Sequence, residues 1–323
     1  MSAATLITGG TGFVGKALLR EWSQSIGRTV RPVILSRDPR RFAREQPELS
    51  SIADFTTGDV LSIDSLPSTH RFQNVLHAAA DSTHGDRLSP LERYDQIVTG
   101  TRNMLDFAVK CGAKRFLYIS SGGVYGRQPA DLDRIPENYH GMPNPLSSAN
   151  AYGVAKRAAE HLCTLYAERH GLEVVIARCF AFVGQDLPLD VHFAIGNFIR
   201  DALWRDEILV QGDGTAVRSY MDQRDLVHWL LALLEHGKSG EAYNVGSDEA
   251  ISIADLAHLV RDVVSPGKPV RILGKSVGNS ERSRYVPDVS KATQKLGLRF
   301  TFSHREAVRE AALIRNSLQA DPF

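Results

Sequence analysis

Ala4-Thr5-Leu6-Ile7-Thr8-Gly9-Gly10-Thr11-Gly12-Phe13-Val14-Gly15 decides how this chain is read. A short apolar, β-prone run ends in four glycines spaced through seven residues, and a helical pattern from Phe13 to Trp22 follows at once. The glycines satisfy GxGxxG from Gly10 and GxxGxxG from Gly9. A turn this tight between strand and helix has no room for Cβ atoms, and a side chain there would keep an anion from the backbone. Free N–H groups and the positive end of the helix dipole would then face a pyrophosphate. Gly9, Gly12, Phe13, Val14 and Gly15 are therefore the first candidates for binding a dinucleotide.

Outward from that turn, strands and helices alternate. Arg31–Leu35, Asn74–Ala79, Arg115–Ser120 and Glu173–Cys179 read as strands, with helices over Pro90–Cys111 and Ala151–His170. Strand–helix–strand repeats with continuous apolar strands predict a parallel sheet covered on both faces, a doubly wound α/β fold. After Phe180 the rhythm changes. Helices are expected over His192–Trp204, Leu226–Glu235, Ile253–Val264, Ser290–Leu296 and Arg305–Leu318. Short strands flank Gly212-Asp213-Gly214, and Ala242–Val245 reads as one more strand. The expected division is a cofactor domain over 1–180, with 224–246 returning to it, and a smaller α/β substrate-binding lobe over 181–223 and 247–323.

Composition narrows the class. The 323 residues carry 38 Lys and Arg against 37 Asp and Glu, a net charge of +1. Such a balance calls for neither nucleic acid nor an anionic membrane as partner. No apolar run approaches ~18 residues, so no membrane span is expected. The three cysteines, Cys111, Cys163 and Cys179, are widely spaced and read as reduced thiols in a cytoplasmic protein. The N-terminus has no basic region before an apolar stretch, so no signal peptide is expected. The histidines form no HExxH and no cluster with cysteine, and no metal is expected. His77, in an apolar strand, reads as a packed, hydrogen-bonded histidine.

The end of the second strand should meet the adenosine ribose. It carries Ser36-Arg37-Asp38. Arg37 with Ser36 suits a 2′-phosphate, so NADP(H) is preferred. NAD(H) stays possible, because Asp38 could take a ribose hydroxyl. The chemistry points to Tyr152-Gly153-Val154-Ala155-Lys156, where phenol and ammonium four apart share a helix face. An ammonium beside a phenol favours phenolate, which would let Tyr152 exchange protons near neutral pH. Ser120-Ser121-Gly122-Gly123-Val124-Tyr125-Gly126 follows a strand, at the edge where open α/β sheets bind ligands, and offers the Ser121 hydroxyl to a reacting oxygen.

These motifs occur in a telling order. The TGGTGFVG turn, Gly58-Asp59-Val60, His77-Ala78-Ala79, SSGGVYG and YGVAK come first. Ala177 to Gly184, Gln211 to Gly214, Arg218-Ser219-Tyr220, Tyr243 to Gly246 and Pro287 to Lys291 continue the series. Over nearly its whole length the chain resembles the extended short-chain dehydrogenases, the family of nucleotide-sugar epimerases, dehydratases and ketoreductases, on a Rossmann-type sheet. The resemblance implies Tyr152 as acid/base, Lys156 as its helper and Ser121 as hydroxyl partner. It implies Asp59 and Val60 at the adenine and Ala78 and Ala79 at the cofactor phosphates. Arg218, helped by Arg284 or Arg282, would hold the substrate diphosphate. It also implies a homodimer through the helices beginning at Pro90 and Ala151.

Three departures matter. Gly122 and Gly123 stand where the 4,6-dehydratases of this family carry Asp and Glu, which disfavours dehydration. Ala181 and Ile97 replace two asparagines of the family pattern. What remains is a nucleotide-sugar 4-ketoreductase using NADPH, or a C4 epimerase with tightly bound NAD. From another class, a non-catalytic NADP-binding sensor is a third reading, disfavoured by the intact Ser121, Tyr152 and Lys156. Sugar choice is expected to lie in Ser82–Ser89, in Arg127–Pro145 and after Gly184.

Overall fold

β1 (Thr5–Thr8) is buried at all four positions, as a strand covered on both faces must be. The structure is a computed structural model that describes residues 4–24, 30–67, 71–80, 88–191, 193–274 and 283–320. In chain order β1 is followed by α1 (Phe13–Gln24), β2 (Val33–Ser36), α2 (Pro39–Glu45), α3 (Pro47–Ser50) and β3 (Asp54–Thr57). Then come β4 (Asn74–His77), α4 (Pro90–Cys111), β5 (Arg115–Ser121), α5 (Ala151–His170), β6 (Glu173–Cys179) and β7 (Phe182–Val183). Next are α6 (Ala194–Trp204), β8 (Ile208–Val210), β9 (Val217–Arg218), β10 (Met221–Asp222), α7 (Gln223–His236) and β11 (Glu241–Val245). The chain closes with β12 (Ile251–Ser252), α8 (Ile253–Val264), β13 (Val270–Ile272), β14 (Arg284–Tyr285), α9 (Ser290–Leu296) and α10 (His304–Ala320).

Among the described residues, seven strands form one sheet in the order β11-β6-β5-β4-β1-β2-β3, parallel from β3 through β6. This is the Rossmann-type α/β sheet that the sequence predicts. The order reverses between β1 and β4, which opens a crevice at their carboxyl ends. The edge strand β3 and the short helices α2 and α3 go beyond the sequence reading. Asp54-Phe55-Thr56-Thr57 has no apolar run, and what makes it a strand is backbone pairing with β2.

Local chemistry sets the two long helices. Ser89 and Glu92 form a reciprocal capping box before α4, with Pro90 at its first position, and Gly112 ends it in the left-handed region at φ 73°. The buried stripe of α4, Ile97, Gly100, Thr101, Met104, Leu105 and Ala108, packs with Ala155, Ala159 and Leu162 of α5 into a core with Val75, Phe116 and Val174.

The chain divides into two compact units. The first runs to Gly126 and adds Met142–Cys179 and Val227–Tyr243; the second takes Arg127–Gly141, Phe180–Leu226 and everything from Asn244. Residues 1–180 are thus interrupted, because Arg127–Gly141 is fastened inside the second unit. There Asn244 donates through its amide to the Ile135 and Asp288 carbonyls at 2.8 and 2.9 Å, and Gln128 accepts from the Val286 N–H at 3.0 Å. Small sheets (β12-β9-β14, β13-β8 and β10-β7) and the packed helices α6, α8 and α10 build the rest of that unit. No described helix is long and apolar enough to cross a membrane.

Candidate active site

The glycine turn folds onto the end of β4. Gly9 has φ +71°, and a Cβ there would stand 2.6 Å from the Ala78 carbonyl oxygen. A Cβ on Gly15 would meet the Gly10 Cα at 2.2 Å, so the start of α1 can lie directly on the turn. Gly12 differs: a Cβ there would meet only the Gly9 oxygen, at 3.4 Å, and its other side is open. Phe13 and Val14 are partly exposed beside it. An open flank at the head of a helix fits the pyrophosphate of a dinucleotide. Ala78 and Ala79 line the turn, and the Ala79 N–H donates to Thr8 Oγ1 at 3.1 Å. Thr8 Oγ1 also bonds His77 Nδ1 at 2.7 Å, and His77 Nε2 reaches Thr101 at 3.3 Å. Burial, then the charge of Lys156, pushes the His77 imidazole down to about 3. His77 is therefore a neutral, bonded prop under the turn.

At the end of β2 the carboxylate of Asp38 caps α2, accepting the Arg41 N–H at 2.9 Å, while the Asp38 N–H donates to Ser36 Oγ at 3.3 Å. Arg41 pairs with Glu45 at 2.7 Å. Arg37 is exposed, and its guanidinium has no partner among the described residues. Asp59 and Val60 are ordered by their neighbours: Asp59 accepts from the Leu61 N–H at 3.0 Å, and the buried Val60 accepts from Asn103 at 2.9 Å.

The reacting side chains gather at the end of β5. Ser121 Oγ accepts the Gly123 N–H at 3.1 Å and starts the tight turn Gly122–Tyr125. The first turn of α5 presses on it so closely that a Cβ at Gly153 would stand 2.6 Å from the Gly123 oxygen. That approach brings Tyr152 to Ser121. Burial pushes the Tyr152 phenol up to about 12, against the opposing hydrogen bond with Ser121. Lys156 is buried and donates from Nζ to the Ile119 carbonyl at 2.7 Å. Its Nζ stands 4.9 Å from the Tyr118 ring centre and 5.9 Å from that of Tyr152. Burial lowers it to about 8, leaving an ammonium at neutral pH. Here the structure differs from the sequence expectation that the ammonium makes Tyr152 acidic. In this arrangement the ammonium is committed to Ile119, and desolvation of the phenolate outweighs it.

The sequence matches the family described as NAD dependent epimerase/dehydratase family over residues 5–246. The chain belongs to it. UDP-glucuronic acid decarboxylase 1 of Arabidopsis thaliana is 30% identical over 319 residues, covering 94% of this chain and 67% of that protein. In fold the chain is similar to a UDP-glucose 4-epimerase from Thermotoga maritima solved with UDP-glucose, with a TM-score of 0.83, 23% identity, and 98% and 99% of the two chains covered. It is also similar to RMD from Pseudomonas aeruginosa complexed with NADPH, with a TM-score of 0.81, 25% identity, and 98% and 100% covered.

Within this epimerase/dehydratase family member, the glycine pair stands beside the tyrosine. A Cβ at Gly123 would lie 3.8 Å from two Tyr152 ring carbons and 3.4 Å from Ser121 Oγ, so a side chain at 123 would touch both. One functional cluster went unread in the sequence. Glu160 accepts from Ser120 Oγ at 2.5 Å and from Arg178 Nε and Nη2 at 3.0 and 2.7 Å. Arg178 Nη1 donates to the Tyr125 hydroxyl at 2.9 Å. Burial pulls the Arg178 guanidinium down, and Glu160 with Tyr125 more than reverses it, so it lies above the usual value. This buried chain ties β5, α5, β6 and the Gly122–Tyr125 turn together under the site. The available signal was spacing, since Glu160 lies four residues past Lys156 on the same face of α5.

The candidate substrate arginines lie in the second unit. Arg218 donates to the Val217 and Ser283 carbonyls at 2.8 and 2.9 Å. Arg284 donates from Nε to the Asp133 carbonyl at 2.6 Å. β9 and β14 are paired so that Arg284 stands opposite Val217 and Tyr285 opposite Arg218. The two arginines therefore point to opposite faces of the small sheet. Arg282 and most of the expected Ser82–Ser89 segment lie outside the described residues.

Proposed function

We propose that this protein is an NADPH-dependent ketoreductase acting at C4 of a nucleotide-linked sugar. The observation that carries the reading is Tyr152 held against Ser121 at the carboxyl end of β5, with glycines at 122 and 123. A bound nicotinamide supplies the hydride. Tyr152 gives its proton to the sugar oxygen, Ser121 donates a hydrogen bond to that same oxygen, and Lys156 supports the cofactor ribose and the returning proton. Gly122 and Gly123 offer no carboxylate at those two positions to serve as a second acid/base that expels water. Asp59, Val60, Ala78 and Ala79 would line the cofactor and Arg218 the substrate diphosphate, while Arg284, on the other face of the small sheet, is not placed to share it. The relatives' names support a nucleotide sugar as substrate.

Preference for NADP(H) is supported by the end of β2. Asp38 is taken up by the cap of α2, and Arg37 is left for a 2′-phosphate. An epimerase with tightly held NAD is the second reading, favoured by the fold likeness to UDP-glucose 4-epimerase. One assay separates them: purified protein with a 4-keto nucleotide sugar and NADPH, followed by cofactor absorbance and product analysis. Stoichiometric NADPH loss supports the reductase. Interconversion of C4 epimers without net cofactor change rejects it. We also infer a homodimer through α4 and α5, where Leu91 and Leu165 are exposed. A monomeric mass in sedimentation rejects that.

A further inference from the structure

Tyr118 sits in the middle of β5 and is buried. β4 and β5 pair in parallel with Tyr118 directly opposite His77. Residues opposite one another in adjacent strands project to the same face. The two rings accordingly stack, with centres 5.9 Å apart and 27° between their planes. His77 is bonded at both ring nitrogens, to Thr8 at 2.7 Å and to Thr101 at 3.3 Å. Tyr118 therefore rests against a ring that is itself held. Lys156 Nζ lies over the Tyr118 ring, 4.9 Å from its centre. That is within the ~6 Å at which a ring face attracts a cation.

The ring matters because of what else surrounds the ammonium. Lys156 is buried, and a buried charge is costly unless it is paired. An ammonium has three N–H groups, and Lys156 gives one to the Ile119 carbonyl at 2.7 Å. From β4, His77 is neutral. Burial pushes the thiols of Cys179 on β6 and Cys163 on α5 up, so both stay protonated. Burial holds Tyr152 and Tyr118 as neutral phenols. Glu160, four residues along α5, spends its carboxylate on Ser120 and Arg178. From α4, the charge of Arg93 reaches Tyr152, and the buried stripe of Ile97, Gly100, Thr101 and Met104 does not titrate. Among these groups, the Ile119 carbonyl and the face of the Tyr118 ring are what offer negative charge density to the ammonium.

We propose that Tyr118 is the positioning residue of Lys156, its ring face holding the buried ammonium at the end of β5. The consequence for the reaction rests on the reading that Tyr152 donates the proton with Lys156 as its helper. The placement of the ring does not.

The test reads the lysine without turnover. Protein labelled with carbon-13 at lysine Cε is titrated as purified by NMR, and the Lys156 signal is assigned by its loss in Lys156→Met. In the parent the group ionises at about 8. Tyr118→Leu should lower that by about one pH unit or more, a tenfold loss of ammonium at a given pH. Tyr118→Phe keeps the ring and should titrate with the parent. A merely structural role predicts the opposite sign, since water entering a loosened core would relieve the burial and raise the ionisation. If Tyr118→Leu fails to fold, phenylalanines carrying one, two and three ring fluorines are incorporated in place of Tyr118. They nearly keep the shape of phenylalanine while draining the ring face, and the ionisation should fall with each fluorine. The proposal is overturned if the leucine variant titrates with the parent or above it, if phenylalanine falls as far as leucine, or if the fluorine series is flat. A lowered ionisation in Tyr118→Leu, with a parent that reduces no keto-sugar, rejects the ketoreductase reading and upholds the ring. An unmoved ionisation, with a parent that does reduce one, does the reverse.

Discussion

Replacing Glu160 by leucine should be among the most damaging single changes in the first unit. The carboxylate accepts from Ser120 at 2.5 Å and from two nitrogens of Arg178 at 3.0 and 2.7 Å. The side chains of the pair are only 9% and 15% exposed, so water cannot take over. Removing one partner of a buried pair leaves an uncompensated charge, at a cost of about 3–5 kcal/mol. That is a large share of the ~5–15 kcal/mol by which domains are stable. Arg178→Met leaves the Glu160 carboxylate buried without its partner and should cost a similar amount. The double variant removes both charges together. It should therefore be more stable than the sum of the single losses predicts, by at least about 2 kcal/mol.

Urea unfolding of the four proteins at one fixed NADP⁺ concentration measures this cycle. Additive losses, or a Glu160→Leu cost within about 1 kcal/mol of a typical surface change, would refute the view that the pair clamps the site from below. The same clamp sets Ser120, and through it Ser121. Folded Glu160→Gln protein should accordingly lose turnover more than cofactor affinity.

Tyr152→Phe should lower kcat/KM by about 10²–10⁴ while NADPH affinity holds; equal loss of both would mean the phenol binds and does not react. Arg37→Ala should weaken NADP⁺ binding by about tenfold or more, the worth of a charge-assisted bond, and leave NAD⁺ unchanged, as titration calorimetry can read. Gly123→Ala meets only ordinary contacts at 3.4 and 3.8 Å and should be nearly silent, whereas Gly153→Ala drives a Cβ to 2.6 Å from a carbonyl and should cost about 1–3 kcal/mol. Reversed ranks in thermal unfolding would show that α5 does not press on the turn. His77 titrates near 3 in the fold against an ordinary 6.5, so the unfolded chain binds the proton that the fold refuses. Its contribution is whole above pH 6.5 and is lost as pH falls toward about 3, at up to about 1.4 kcal/mol per unit. His77→Gln should flatten that acid slope, and an unchanged slope would place the acid sensitivity elsewhere.

What could be read in the sequence was what residue type alone enforces. Gly9 at φ +71° and Gly15 packed on Gly10 are positions that exclude a Cβ, so their identity reports their geometry. The spacing of Tyr152 and Lys156 reports a shared helix face, and continuous apolar runs report strands covered on both sides. β3 escaped because an edge strand needs backbone pairing and little else. Glu160 and Arg178 escaped because a charged residue on a helix ordinarily faces water, and only the partner 18 positions away makes its burial tolerable. Two side chains face a choice of partner that spacing alone leaves open. Lys156 had two possible acceptors, the neighbourhood of the phenol and the Ile119 carbonyl, and Asp38 had two possible donors, a ribose hydroxyl and the Arg41 N–H. In both cases the backbone group is used, at 2.7 and 2.9 Å. A backbone group is held in place by the fold before any ligand arrives, so ordering the side chain on it costs little further entropy. A side chain with one backbone partner and one ligand partner in reach is therefore expected to take the backbone partner in the free protein.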